Sequence, residues 1–222
     1  MNTALAQRLA NIELNAQKVA LVIARLALAW LFFTQLWWKV PPTFGCPADF
    51  AVTAADANGK LKRASGLCDW MGIEAVWSGR PHPVLVADLG SVGGPKLSID
   101  IGFIAAANGA FLKNFAIPNI RWFGYVVWGM EFFIFASLFF GVFSRLGGLV
   151  SLAQSAQLMI GLAGISNPGE WEWPYNLMVV LSIVVIAFPV GRIIGLDALI
   201  QPPLKAAGEK GNPIAAWLAW LA

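Results

Sequence analysis

Long apolar runs separated by short polar hinges dominate this chain. Four of them are about the length of a membrane span: Val19 to Val40, Trp122 to Phe143, Leu146 to Ile165 and Pro174 to Ile194. A helix of about 20 apolar residues crosses the hydrocarbon core of a bilayer. The pattern therefore predicts an all-α membrane protein, a four-transmembrane-helix bundle forming one membrane domain over residues 1–222. The connection 41–120 is long. Its first part, 41–97, is rich in Gly, Pro and Asp and reads as loop with little regular structure, without locating any short strands it contains. Its last part, 98–117 (SIDIGFIAAANGAFLKNFAI), has only twelve uncharged residues between Asp100 and Lys113, too few to span. It is expected to be an interfacial helix. Ahead of the first span, Leu5, Leu9 and Ile12 fall on one side and Arg8, Asn11 and Asn15 on others, which suggests a short interfacial helix over 1–17. In the apolar tail, Trp217 and Trp220 share a helical face suited to the membrane surface or to a partner subunit.

Composition agrees with this reading. The chain is 58% hydrophobic and only 12% charged, where a soluble domain has roughly 25% charged residues. Its mean hydropathy is +0.67. The net charge of +3 does not point to nucleic acid, because the bases flank the apolar spans. Arg8 and Lys18 precede the first span, Arg145 fills the turn between the second and third, and Arg192, Lys205 and Lys210 follow the fourth. The hinge SNPGEWEW has two acids and no base. By the positive-inside rule both termini are cytoplasmic and the loop 41–120 is on the outer side. Trp37, Trp38, Trp122, Trp171 and Trp173 then lie at the outer ends of spans, as an aromatic belt should. The first span follows eighteen residues that include Glu13 and lacks a small-residue cleavage site, so it reads as a span rather than a signal peptide. The expected location is a prokaryotic inner membrane.

The two cysteines, Cys46 and Cys68, both fall in the loop assigned outside, where an oxidising compartment favours a disulfide. A redox-active pair is the sharper alternative, but there is no C-x-x-C. One histidine, His82, is too few for a zinc site, and no metal ligand set is expected.

Charged and amide side chains inside the spans are the main candidates for chemistry. Glu131 sits near the middle of twenty-two otherwise uncharged residues. A carboxylate there costs on the order of 3 kcal/mol on insertion scales and calls for a partner or a polar cavity. At about 1.5 Å per residue, Arg25 lies about 9 Å and Glu131 about 18 Å from the cytoplasmic side, with Gln154 and Gln157 at about 12 and 16 Å. The four side chains form a candidate internal polar layer. It reads either as a structural clamp built on an Arg25–Glu131 pair, or as a proton-carrying site or one for a quinone headgroup. Gly147, Ser151 and Ser155 make a small-residue face for close helix packing. Lys39, Glu170 and Glu172 are candidates for an outer-face polar site, or simple interfacial anchors. No phosphate loop, nucleophile with base, or bis-His haem site can be assembled, so a self-contained catalytic site is not expected.

Several motifs in order resemble the DoxX/DoxD family of small four-helix membrane proteins. The first span reads ARLALAWLFFTQLWWK, with Arg25 and Lys39 at the family's spacing. Glu131 stands where the family has its membrane glutamate, and GVFSRLGG places Arg145 in its tight turn. GRIIGLDAL is similar to the family's Gly-Arg…Asp ending, here Gly191, Arg192 and Asp197, and WEWPYN resembles the DoxD branch. Ala29 and Leu36 depart from it where glycines are frequent. The resemblance implies a subunit of an oxidoreductase, like the DoxD-type subunit of thiosulfate:quinone oxidoreductase, with quinone as the cofactor it would meet and nothing bound covalently. Partners would be the lipid bilayer and other subunits of a membrane complex. The alternative is a non-catalytic accessory subunit of a respiratory or photosynthetic complex.

Overall fold

A computed structural model describes residues 3–47, 66–88, 90, 94, 96–165 and 173–222. The protein is mostly helical. Its elements are α1 (Thr3–Leu36), α2 (Gly66–Trp77), β1 (Pro83–Asp88), β2 (Lys96–Asp100), α3 (Gly102–Phe111), α4 (Ile120–Phe140), α5 (Ser144–Leu162), α6 (Trp173–Ala187), α7 (Val190–Ile193), α8 (Asp197–Glu209) and α9 (Pro213–Leu221). Two helical stretches, Leu5–Lys39 and Ile120–Phe140, are long and apolar enough to cross a membrane. The apolar helix α6 is shorter, and α5 has 19 residues but carries Arg145, two glutamines and three serines.

Several elements differ from the sequence pattern for physical reasons. The N-terminal segment and the first span are one helix, since nothing between Thr3 and Leu36 is Gly or Pro to interrupt the hydrogen-bond ladder. The apolar run up to Ile194 is not one helix. It stops at Ala187, and Pro189, with no N–H to donate, opens the short α7 instead. The region 41–97 is more ordered than its composition indicates. It holds α2 and most of an antiparallel pair in which Pro83 faces Asp100 and Asp88 faces Lys96. The interfacial segment begins at Gly102 rather than Ser98, because residues 98–100 belong to β2. A wider turn, Leu112–Ala116, extends it.

The chain divides into two compact units. The first comprises Met1–Gln35, Met130–Ala153 and Met178–Ala222. Its core contains Leu28, Ala29 and Phe32 of α1, Ile134 and Leu138 of α4, and Val185 of α6. The small face of α5 is used here for internal packing. Gly147 lies against Ser137 of α4, Gly148 against Val185 and Ile186 of α6, and the hydroxyls of Ser151 and Ser182 are 2.7 Å apart. The tail folds back as α8 and α9, with Gly208 lying against Ala216.

The second unit comprises Leu36–Gly129 and Gln154–Leu177. Its core gathers Phe44, Leu67, Met71, Ala75, Leu112, Ala116 and Val127. Leu67, Met71 and Ala75 recur every four residues and so form one face of α2. The disulfide expected between Cys46 and Cys68 is formed and ties the start of α2 to the end of the turn after α1. Trp128 donates its indole N–H to the Leu36 carbonyl at 3.2 Å.

Candidate functional site

Glu74 is the carboxyl that stands out. It lies on α2, a helix with nine of its twelve residues buried, and is itself only 3% exposed. Two neutral amides converge on one of its oxygens. Asn108 Nδ2 of α3 donates to Oε2 at 3.0 Å, and Gln157 Nε2 of α5 donates to the same atom at 2.6 Å. Gln157 also donates to Asn108 Oδ1 at 3.3 Å, closing a triangle. Gly161 is four residues beyond Gln157 and therefore on the same face of α5. A Cβ at that position would run into the Glu74 carboxyl, so the glycine leaves the room in which the acid sits.

Among the described residues, no cation acts on this carboxyl. Burial pushes the Glu74 acid up to about 7, and the bonds from Asn108 and Gln157 oppose that shift only in part. Oε1 accepts no hydrogen bond among the described residues. A proton carried on Oε1 leaves both amide bonds to Oε2 intact in either protonation state. The group can therefore take up and release a proton near neutral pH without rearranging its neighbours.

One turn beyond Glu74, Trp77 anchors the end of α2 by donating its indole N–H to the Ala163 carbonyl at 3.2 Å. The His82 ring lies edge-on to Trp77, 6.3 Å between centroids, and is fully buried. Its Nδ1 is 2.7 Å from the Arg80 carbonyl, which assigns the proton to Nδ1. Asp100 accepts from the backbone N–H of His82 and of Gly102, at 3.0 and 2.8 Å, and these two bonds hold it below its usual range.

The residues singled out in the sequence fall in both units. Arg25 and Glu131 belong to the first unit, Gln154 and Gln157 to the second. Arg25 is buried and donates through Nη1 to the carbonyls of Val190 and Ile194. Glu131 is buried on α4, and Gln154 is half-buried on α5. Gln157 reaches the carboxyl of Glu74. Lys39 is buried, with Nζ 4.8 Å from the centre of the Trp38 ring. Glu170 and Glu172 lie outside the described residues.

The family-motif residues form a corner in the first unit. Asp197 is fully buried at the start of α8 and accepts from the backbone N–H of Phe143 at 2.6 Å and of Ser144 at 2.9 Å. It thereby caps α5 from a distant part of the chain. The turn it closes contains Gly141 at φ +63°, with the Arg25 guanidinium so near that a Cβ would collide with it. It also contains Phe143 at φ +48°, a strained value for a bulky residue. Ser137 donates its hydroxyl to the Val142 and Phe143 carbonyls, at 2.7 and 3.1 Å. Arg192 donates to the Ala219 and Ala222 carbonyls, at 2.8 and 3.0 Å, and Arg145 to Trp220 at 3.1 Å. Both guanidinium groups thus sit on the carbonyls at the C-terminal end of α9, where cations are favoured.

Sequence reasoning missed Glu74 because its partners are 34 and 83 positions away. One signal was present: Glu74 lies in the otherwise apolar stretch MGIEAVW, an acid on a face with no polar period. Compared with family models, curated proteins and solved structures, the chain matches none.

Proposed function

We propose that this chain is a DoxX/DoxD-like integral membrane subunit of a quinone-linked electron-transfer complex in a prokaryotic cell membrane, and that Glu74 exchanges protons with the quinone. Reduction of a quinone takes two electrons and two protons. The electrons come from a partner subunit oxidising an external donor such as thiosulfate, and Glu74 passes the two protons one at a time, taking up each from water. The observation that carries this reading is a buried carboxyl on which two neutral amides converge at one oxygen, with no bond to the other among the described residues.

The four-span arrangement, with both termini cytoplasmic and the 41–120 loop outside, is part of the same proposal. The low hydropathy of α5 does not oppose it, because a polar group inside a membrane is tolerated when it finds an internal partner. Ser151 meets Ser182, and Gln157 meets Glu74, which α2 carries inward from the outer-side loop. The basic flanks and the tryptophans at the outer span ends support the orientation.

The test is quinone-dependent thiosulfate oxidation by the complex purified with its partner subunits. Glu74→Gln is expected to lower turnover at least about ten-fold, the lower range for loss of a general acid–base group, while the protein stays folded. Glu131→Gln, assayed alongside, asks the same of the acid in the span. Unchanged turnover in Glu74→Gln removes that residue from the mechanism. The accessory-subunit reading has one observation in its favour, the outward face of α9, where Ile214, Trp217 and Trp220 are exposed. It predicts that the chain copurifies with a larger complex whose activity is insensitive to Glu74→Gln.

A further inference from the structure

In the first half of α1, residues 7–20 are all exposed, with no packing partner among the described residues. Yet Leu5, Leu9, Ile12, Val19 and Ile23 are apolar and each more than half exposed. With Ala16 they recur at alternating steps of four and three, Leu5, Leu9, Ile12, Ala16, Val19 and Ile23. That is the heptad seam of a coiled coil, with Leu5, Ile12 and Val19 at d and Leu9, Ala16 and Ile23 at a. Arg8 then falls at g and Glu13 at e. In a parallel pair a g residue faces the e residue five positions on in the partner helix, so Arg8 of each copy meets Glu13 of the other. In an antiparallel pair g faces g and e faces e, so Arg8 and Glu13 would not meet.

The geometry points to a second copy of this chain as the partner of this face, in parallel register along the first half of α1. Insertion in the same orientation makes two copies parallel without further cost. A membrane surface fits less well. The helix has no Gly or Pro at which to bend, and sharp kinks nearly always need one. Residues 3–18 therefore continue the axis of the span, reaching about 24 Å beyond it, instead of turning to lie flat. The inference does not depend on the chemistry of Glu74.

The test is site-directed cross-linking of the full chain in native membranes. Both native cysteines are joined to each other, so an introduced thiol is the only free one. Leu9→Cys and Ile12→Cys are expected to form disulfide dimers on oxidation, at least about ten-fold more than Leu14→Cys, which lies at f on the far side of the helix. Arg8→Glu or Glu13→Arg, each added to Ile12→Cys, is expected to lower the yield, and the two together to restore it. Equal yields at positions 9, 12 and 14, absence of dimers, or failure of the double reversal to restore them would overturn the proposal. Quenching of labels at positions 9 and 12 by lipid-borne quenchers, without cross-linking, would overturn it in favour of the membrane surface.

Discussion

Asp197 and Glu74 are both buried acids, but they are wired in opposite ways. Asp197 has both oxygens engaged by backbone N–H groups, at 2.6 and 2.9 Å, and Arg25 is close enough to act on it electrostatically. Glu74 has two neutral amides on one oxygen and nothing on the other among the described residues. The first arrangement fixes a turn and a helix start. The second keeps both amide bonds whether or not the proton is bound. Burial alone therefore does not distinguish a structural acid from one that can work. What distinguishes them is whether every acceptor site is already occupied by an obligatory donor.

The comparison breaks most visibly at Asp197. Replacing it by Ala strands the buried N–H of Ser144 and the half-buried N–H of Phe143, and leaves the left-handed Phe143 without its tie. Each unsatisfied buried donor costs about 1–3 kcal/mol, so a loss of about 4 kcal/mol is expected. Thermal unfolding in detergent, followed by circular dichroism, should show it. If Asp197→Ala unfolds close to the wild type, the corner is not held by this acid.

Glu74 should instead give a pH-dependent effect. Its folded-state value, about 7, lies above the ordinary 4.5, so folding favours the protonated form. The stability this contributes is complete below about 4.5 and is lost as pH rises towards 7, amounting to on the order of 3 kcal/mol. Glu74→Gln carries a neutral group at every pH and should flatten that slope, ending more stable than the wild type at pH above 7. Parallel slopes in the two proteins would show that Glu74 does not titrate in this window.

The two regions were not equally legible in the sequence. Arg25 and Glu131 announce themselves as charges inside apolar runs, and Asp197 and Arg192 belong to a local motif within ten residues of one another. Such signals need only neighbours along the chain. Glu74 depends on α2, a 12-residue helix inside a stretch whose Gly, Pro and Asp content hides it. Its amide partners come from α3 and α5, and no periodicity links three separate helices. The break at Pro189 is a different case. Hydropathy runs smoothly through it, and only the missing N–H of proline stops α6 at Ala187.

A smaller effect is expected at Gly161, whose only role in the comparison is to make room for Glu74. Gly161→Ala places a methyl group in the space of the carboxyl and should cost about 1–3 kcal/mol by overpacking. Gly129, in the interior of α4 with open space around it, is the control: Ala there should stabilise by about 0.5–1 kcal/mol. Equal responses at the two positions would mean that Glu74 does not need the gap.

The smallest effect concerns the far end of α2. Trp77→Phe keeps most of the buried ring but removes the N–H that serves the Ala163 carbonyl, a loss of about 1 kcal/mol. The apolar face Leu67, Met71 and Ala75 is untouched, as is the disulfide at the other end of the helix. If those contacts position α2, the pH slope of unfolding in Trp77→Phe should keep the wild-type midpoint while the whole curve drops slightly. A displaced midpoint would mean that this one bond sets how deep Glu74 sits, and so how readily it gives up its proton. The working acid would then owe its poise to a structural contact one turn away, and the contrast with Asp197 would be one of degree.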